Sequence, residues 1–256
     1  MSDQNQWTQA RELIEPFTGP VSSVRQAGDG FNSQIAVIIN ERYFVKGLRQ
    51  DHPRVWTQNR EKQINPHIRH LSADLEWHAE SDAWNILGFR YITGRKADYS
   101  PASPDLAAIT AMMTRLPLAP ADLDLKLAEQ RWSSYSDRPS LFAGQHLSHT
   151  DWSPGNVLIA GDARLIDWAW PTRGAAWIDP ACWTVWLIAC GHHPAQAEDH
   201  AAQVPAFARA PAPAITAFAA AQAAMWADIA DHAPHPGLAA AATAWHEYRT
   251  DTTKER

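Results

Sequence analysis

The run from His149 to Asp167 restricts what this chain can build more than any other stretch. It reads His-Thr-Asp-Trp-Ser-Pro-Gly-Asn, then Val-Leu-Ile-Ala-Gly-Asp-Ala-Arg-Leu-Ile-Asp. A histidine is followed two places on by Asp151, and Asn156 comes five places after that. Two short apolar runs flank Gly161-Asp162, and Gly-Asp between such runs reads as a two-residue hairpin turn. One loop and one hairpin are thus expected to bring Asp151, Asn156 and Asp167 together at one end.

Phosphoryl transfer needs a base for the incoming hydroxyl and oxygen ligands for magnesium, because the protein's task is positioning and charge neutralisation. Kinases draw these from an H-x-D-x-x-x-x-N loop and an Asp at the end of a following strand. Both spacings are met. On these residues the chain resembles the aminoglycoside phosphotransferase and choline kinase group, the small-molecule branch of the protein-kinase-like fold. That group typically shows H-G-D-x-x-P-x-N followed by I-D-W. Here the matching runs are His149-Thr-Asp151-Trp-Ser-Pro154-Gly-Asn156 and Ile166-Asp167-Trp168. Protein kinases carry D-F-G at the second position instead. Each piece alone is an ordinary turn or strand end, so the reading requires a phosphate-binding half elsewhere.

The N-terminal part supplies a candidate. Trp7, Ala10, Leu13 and Ile14 predict a helix over 7–15 that ends before Pro16. Strands are expected over 21–26, 34–39 and 43–46, with a glycine loop between the first two. Glycines let backbone amides approach phosphates, and a lysine ammonium holds their oxygens. The resemblance assigns Gly28, Asp29, Gly30, Phe31, Asn32 and Ser33 to the phosphate cover and Lys46 to the phosphates themselves. A plain hairpin turn and a surface lysine are the competing readings. A helix over 55–64, stopping at Asn65-Pro66, carries Glu61, which in this fold pairs with the strand lysine. Arg60 and Lys62 flank it, so a solvated helix face competes.

Strands over 75–79 and 84–92 follow. The second is similar to the family's linker between lobes. On that register the Arg90 carbonyl and Ile92 amide meet an adenine edge and Phe89 backs the pocket. A slip of one residue would swap the faces, and an edge strand without a ligand is the alternative.

Beyond Gly94 the pattern is expected to be helical apart from the hairpin. Ser103-Pro104 opens a helix to about 115, and further helices are predicted over 122–132, 181–190, 214–231 and 238–249. Trp177-Ile-Asp179-Pro-Ala stands where the family shows G-D-P-A, whose Asp buttresses the catalytic loop. Ile178 and Trp183 depart from that pattern. His149 is expected to brace the loop. Trp152 and Trp170 are candidates for an acceptor wall, with core packing the default for each. Glu198, Asp199, Asp228 and Asp231 are either contacts for amino groups of a cationic acceptor or solvated helix faces.

Composition removes several classes. Among 256 residues, 45% are hydrophobic and 20% charged, which is globular. No apolar run is long enough to span a bilayer and Met1–Pro20 lacks a signal-peptide pattern, so a cytoplasmic protein without a membrane partner is expected. A net charge of −6 argues against nucleic acid. Cys182 and Cys190 form no C-x-x-C pair and read as buried thiols. His146 with His149, His192-His193, and His232 with His235 lack the companions a zinc site needs. There is no G-x-S-x-G.

The resemblance implies an α+β, bilobal protein-kinase-like fold. It has a small antiparallel-sheet lobe over 1–89, a hinge over 90–94 and a mostly helical lobe over 95–256. It implies transfer of the ATP γ-phosphate to a hydroxyl of a small molecule, with GTP left open as donor. Asp151 is then the catalytic base, and Asn156 and Asp167 hold Mg2+. The acceptor is not legible: aminoglycoside-like antibiotics, other natural products, amino alcohols and sugars all suit the scaffold. A nucleotide-binding module without turnover is the rival class, and oligomeric state is unread.

Overall fold

The computed structural model describes residues 3–27, 33–230 and 236–254, and every structural statement below concerns these. The chain is α+β and divides into two compact units. One is Met1–Gly94 with Ile166–Ala169, the other Arg95–Leu165 with Trp170–Arg256.

The first unit contains helix α1 (Asp3–Thr18), strands β1 (Val24–Gln26), β2 (Ile35–Ile39) and β3 (Tyr43–Arg49), helix α2 (Val55–Ile68), and strands β4 (Leu75–Glu80) and β5 (Trp84–Arg90). The strands form an antiparallel sheet in the order β1-β2-β3-β5-β4. Alternate residues of a strand face opposite sides. Ile35, Val37, Ile39, Tyr43, Val45 and Ile86 therefore share one buried cluster with Ala10 and Ile14 of α1. Lys46, next to Val45, falls on the other face.

Both helices run past the prolines expected to end them, Pro16 and Pro66. A proline there forfeits one backbone hydrogen bond and crowds the carbonyl four residues back, yet neither helix stops at it. The stop signal of α1 is instead Gly19, at φ +70°, whose N–H donates to the Glu15 carbonyl at 2.9 Å. In α2 the buried Asn65 side chain donates to the Ala73 carbonyl at 2.7 Å and accepts from the Leu75 N–H at 2.8 Å. That fixes the last turn to the start of β4.

The second unit begins with β6 (Arg95–Lys96), α3 (Asp105–Met113), β7 (Lys126–Leu127), α4 (Ala128–Arg131) and β8 (His146–Ser148). The hairpin β9 (Val157–Ala160) and β10 (Asp162–Leu165) follows, then β11 (Thr172–Gly174). The chain continues with α5 (Ile178–Ala189), α6 (Pro194–Ala201), α7 (Pro205–Ala208), α8 (Ala212–Ala230) and α9 (Pro236–Lys254). The hairpin turns at Gly161, φ +83°. Helices are not the only other structure here, contrary to expectation. β6 adds a third strand to the hairpin, and β7-β11-β8 form a second small sheet whose β7–β11 pair is parallel. The helix predicted over 122–132 shrinks to α4 because Lys126 and Leu127 pair with β11. The N-cap of α3 is Pro104 rather than the expected Ser103, whose Oγ still accepts the Asp105 N–H at 3.3 Å. The apolar α5 packs against α6, α8 and α9. Among the described residues no helix is long and apolar enough to cross a membrane.

Candidate active site

In the first unit Lys46 and Glu61 are only 6% and 4% exposed, so neither is a surface group. Lys46 Nζ lies 2.5 Å from Glu61 Oε2 and 2.8 Å from Asp167 Oδ1. β3 supplies the lysine, α2 the glutamate, and the returning segment 166–169 the aspartate. Burying an ammonium costs several kcal/mol unless carboxylates meet it. Burial works to lower the Lys46 pKa, but Asp167 and Glu61 outweigh it and hold the group above its ordinary value. Burial raises the Glu61 pKa against the pull of Lys46. Asp167 itself sits at φ +62°, a left-handed conformation uncommon outside glycine. Such outliers persist where surrounding structure over-determines them.

Of the expected phosphate cover, Gly28, Asp29, Gly30, Phe31 and Asn32 lie outside the described residues. Ser33 is half-buried just before β2. Phe89 is buried against Phe44, with ring centroids 6.4 Å apart. The Arg90 N–H donates to the Asp74 carbonyl at 2.8 Å, on the β4 side, and its guanidinium pairs with Glu76 at 2.8 Å. The Tyr91 N–H donates to the Arg42 carbonyl at 2.8 Å, on the β3 side. Ile92 is half-buried past the end of β5.

In the second unit the 149–156 loop is held by hydrogen bonds to its own backbone. Buried Asp179, at the start of α5, accepts the N–H of His149 and of Thr150, both at 2.9 Å. Burial raises its pKa, opposed by those two amides. His149 Nδ1 accepts the Asp151 N–H at 3.2 Å, so the imidazole braces the loop. Asp151 Oδ1 accepts the Ser153 N–H at 3.3 Å, and Asn156 Nδ2 donates to the Asp151 carbonyl at 3.3 Å. Pinning that amide nitrogen turns the Asn156 Oδ1 to other use, and an amide oxygen is a hard donor of the kind magnesium prefers.

Trp152, Trp168, Trp177 and Trp183 are buried core residues; Trp170 is half-buried. Glu198 is occupied by the Trp245 indole at 2.6 Å and Arg249 at 3.1 Å, and Asp228 by the Tyr135 hydroxyl at 2.7 Å. Asp199 is exposed, and Asp231, His232 and His235 lie outside the described residues. Among the described residues no three His, Cys, Asp or Glu cluster as a metal site.

No protein-family model and no curated sequence matches the chain. Solved structures do. A choline/ethanolamine kinase family protein from Mesorhizobium loti superposes with a TM-score of 0.61 at 13% identity, over 96% of this chain and 94% of that one. A mutant of aminoglycoside 2'-phosphotransferase-IIIa in its GDP complex gives 0.60 at 14%, over 96% and 97%. Aminoglycoside phosphotransferase APH(3'')-Id from Streptomyces rimosus, with ADP and streptomycin, gives 0.58 at 13%, over 81% and 92%. The chain has the aminoglycoside phosphotransferase fold. Thr150 stands where the group that the chain resembles shows glycine in H-G-D, and it adopts φ +71°. Sequence reasoning passed over that backbone position, although the missing glycine was its signal.

Proposed function

We propose that the chain is a small-molecule kinase that moves the γ-phosphate of a nucleoside triphosphate to a hydroxyl. The observation that carries this is the buried ammonium of Lys46 shared between Glu61 and Asp167. A lysine so held is poised for phosphate oxygens, and a solvent-facing role does not account for it. Neighbours of the same fold were solved with GDP or ADP, which favours nucleotide as the first substrate, with ATP as the donor and GTP as the alternative. Ser33, with Gly28 to Asn32, covers the phosphates; the Arg90 carbonyl and the Ile92 amide, backed by Phe89, take the base.

Asn156 and Asp167 offer oxygen donors to Mg2+, which when bound neutralises phosphate charge. Asp151 Oδ1 is engaged by a backbone amide, and Oδ2 makes no hydrogen bond among the described residues. That oxygen takes the proton of the acceptor hydroxyl. The acceptor oxygen then bonds to phosphorus as the bond from the γ-phosphorus to the nucleoside diphosphate breaks. A cytoplasmic setting, where nucleotide and magnesium are abundant, suits this chemistry.

Nucleotide consumption with Mg–ATP and Mg–GTP across antibiotics, amino alcohols, sugars and hydroxy acids tests it, with growth protection by the expressed gene as a second arm. Asp151→Asn lowers kcat by about 10²–10⁴-fold at unchanged nucleotide affinity. Asp167→Asn weakens magnesium-dependent nucleotide binding as well. An Asp151→Asn enzyme running at full speed, or a protein that binds neither nucleotide, defeats the proposal.

A further inference from the structure

The second unit holds an arginine, Arg131, placed beside two tryptophan rings. Arg95 forks onto Asp105 at 2.5 and 2.6 Å, and Arg249 pairs with Glu198 at 3.1 Å. Arg173 donates to the carbonyls of Pro120 and Leu123 at 2.7 and 3.1 Å. Arg131, the last residue of α4, is half-buried and has no ion pair among the described residues. Its Nη1 donates to Thr172 Oγ1 at 3.3 Å, and its Cζ stands 5.7 Å from the ring centroids of both Trp132 and Trp170. A guanidinium has five N–H donors in a planar fork, and this one commits a single one. Ring contacts engage the faces of the group and leave its in-plane donors free.

The position is tied to the proposed base. Thr172 Oγ1 donates to the Trp170 carbonyl at 3.1 Å, and Thr150 Oγ1 reaches the same carbonyl at 3.5 Å. Thr150 precedes Asp151 in the chain. Burial depresses the Arg131 pKa, opposed through space by Cys182, then Asp151 and Asp179, with no hydrogen bond to any of them. Both Asp179 oxygens are taken by loop amides. Holding the small sheet together does not require the arginine, because Thr172 and Arg173 pair with Lys126 and Leu127 through the backbone.

We infer that Arg131 receives an anionic oxygen group of the acceptor, a carboxylate or a phosphate, with Trp170 as the adjoining wall. Resting on the kinase reading above, this names the acceptor class as a hydroxylated small acid. A forked guanidinium takes two oxygens of such a group at once. A polyamine would instead meet like charge there. Two of the acids that sequence reasoning offered for amino groups, Glu198 and Asp228, are occupied within the protein.

The test uses the whole protein with Mg–nucleotide and three acceptor panels: glycerate, gluconate and serine; glycerol phosphate and glucose phosphate; glucosamine, kanamycin and streptomycin. One of the first two panels stimulates nucleotide consumption, and which one separates carboxylate from phosphate. Arg131→Gln raises the KM of that acceptor at least tenfold and leaves nucleotide KM within twofold. Arg131→Lys, which keeps the charge without the fork, falls between. Turnover of the amino compounds alone, no response to any acid, or an acid KM indifferent to Arg131→Gln overturns the inference. In each of these cases nucleotide binding that is lost in Asp167→Asn leaves the kinase reading standing; absence of that binding removes both.

Discussion

Thr150 is the residue whose backbone is most at odds with its side chain. A β-branched residue at φ +71° pays about 1–2 kcal/mol relative to glycine for the left-handed region. Its N–H is held by Asp179, which keeps it there. Glycine brings its own entropy cost of about 0.5–1 kcal/mol, so Thr150→Gly is expected to gain up to about 1 kcal/mol. A rise in Tm of about 2–4 °C per kcal/mol checks this; an unchanged or lower Tm means the strain is not there. Lys46 gives a second expectation. Lys46→Met leaves Glu61 buried without its cation and costs about 3–5 kcal/mol. The folded pKa of Lys46 is raised above 10.5, so its stabilisation is fully present below that pH and is lost as pH climbs through the folded value. Melts of both proteins from pH 7 to 11.5 should keep their separation to about pH 10.5 and converge only above it. A gap that closes already near pH 9 contradicts the assignment.

Strands and helices differ in how much of them could be read from residues alone. β2, β3, β4 and β5 announced themselves through short apolar and β-branched runs between turn residues, and the hairpin through Gly161-Asp162. β6, β7, β8 and β11 are two or three residues long, too short to carry any period, and exist because a neighbouring strand offers them bonds. The ends of α1 and α2 were misread because proline is a local signal, while Gly19 and the Asn65 tie to Ala73 and Leu75 decided the matter. Asp179 was legible through the resemblance, because Asp179-Pro-Ala stands where that group shows G-D-P-A, whereas Arg131 lies in a stretch that read as an undistinguished helix. The most demanding contact between strands is Gly88 of β5, over which the Trp77 ring lies. A Cβ there would come within 2.0 Å of that ring. Trp77 in turn stacks on Phe17 of α1 at 5.1 Å, so the ring cannot withdraw without disturbing the helix. Gly88→Ala should therefore cost about 1–3 kcal/mol, read as a lowered Tm; a wild-type melt would show that the ring moves freely.

For the molecule as a whole, identities of 13–14% to the three structures compared sit beside coverage of most of each chain. A fold can survive that divergence because binary patterning is degenerate while a few spaced polar residues are not. Ligand linkage offers a readout at this level. A nucleotide at 100 times its Kd adds about 2.7 kcal/mol to whatever binds it, so Mg–ATP or Mg–GTP should raise the melting temperature. Asp167→Asn should abolish the rise, and a shift that survives this substitution would place nucleotide elsewhere.

The first unit is not a contiguous stretch of chain, for Ile166–Ala169 belong to it although the hairpin before them does not. A gene fragment ending at Gly94 would encode Lys46 and Glu61 yet omit the third charge of their cluster. That half therefore cannot be shuffled between genes as a cassette: recombination that preserves its chemistry has to carry along everything through residue 169.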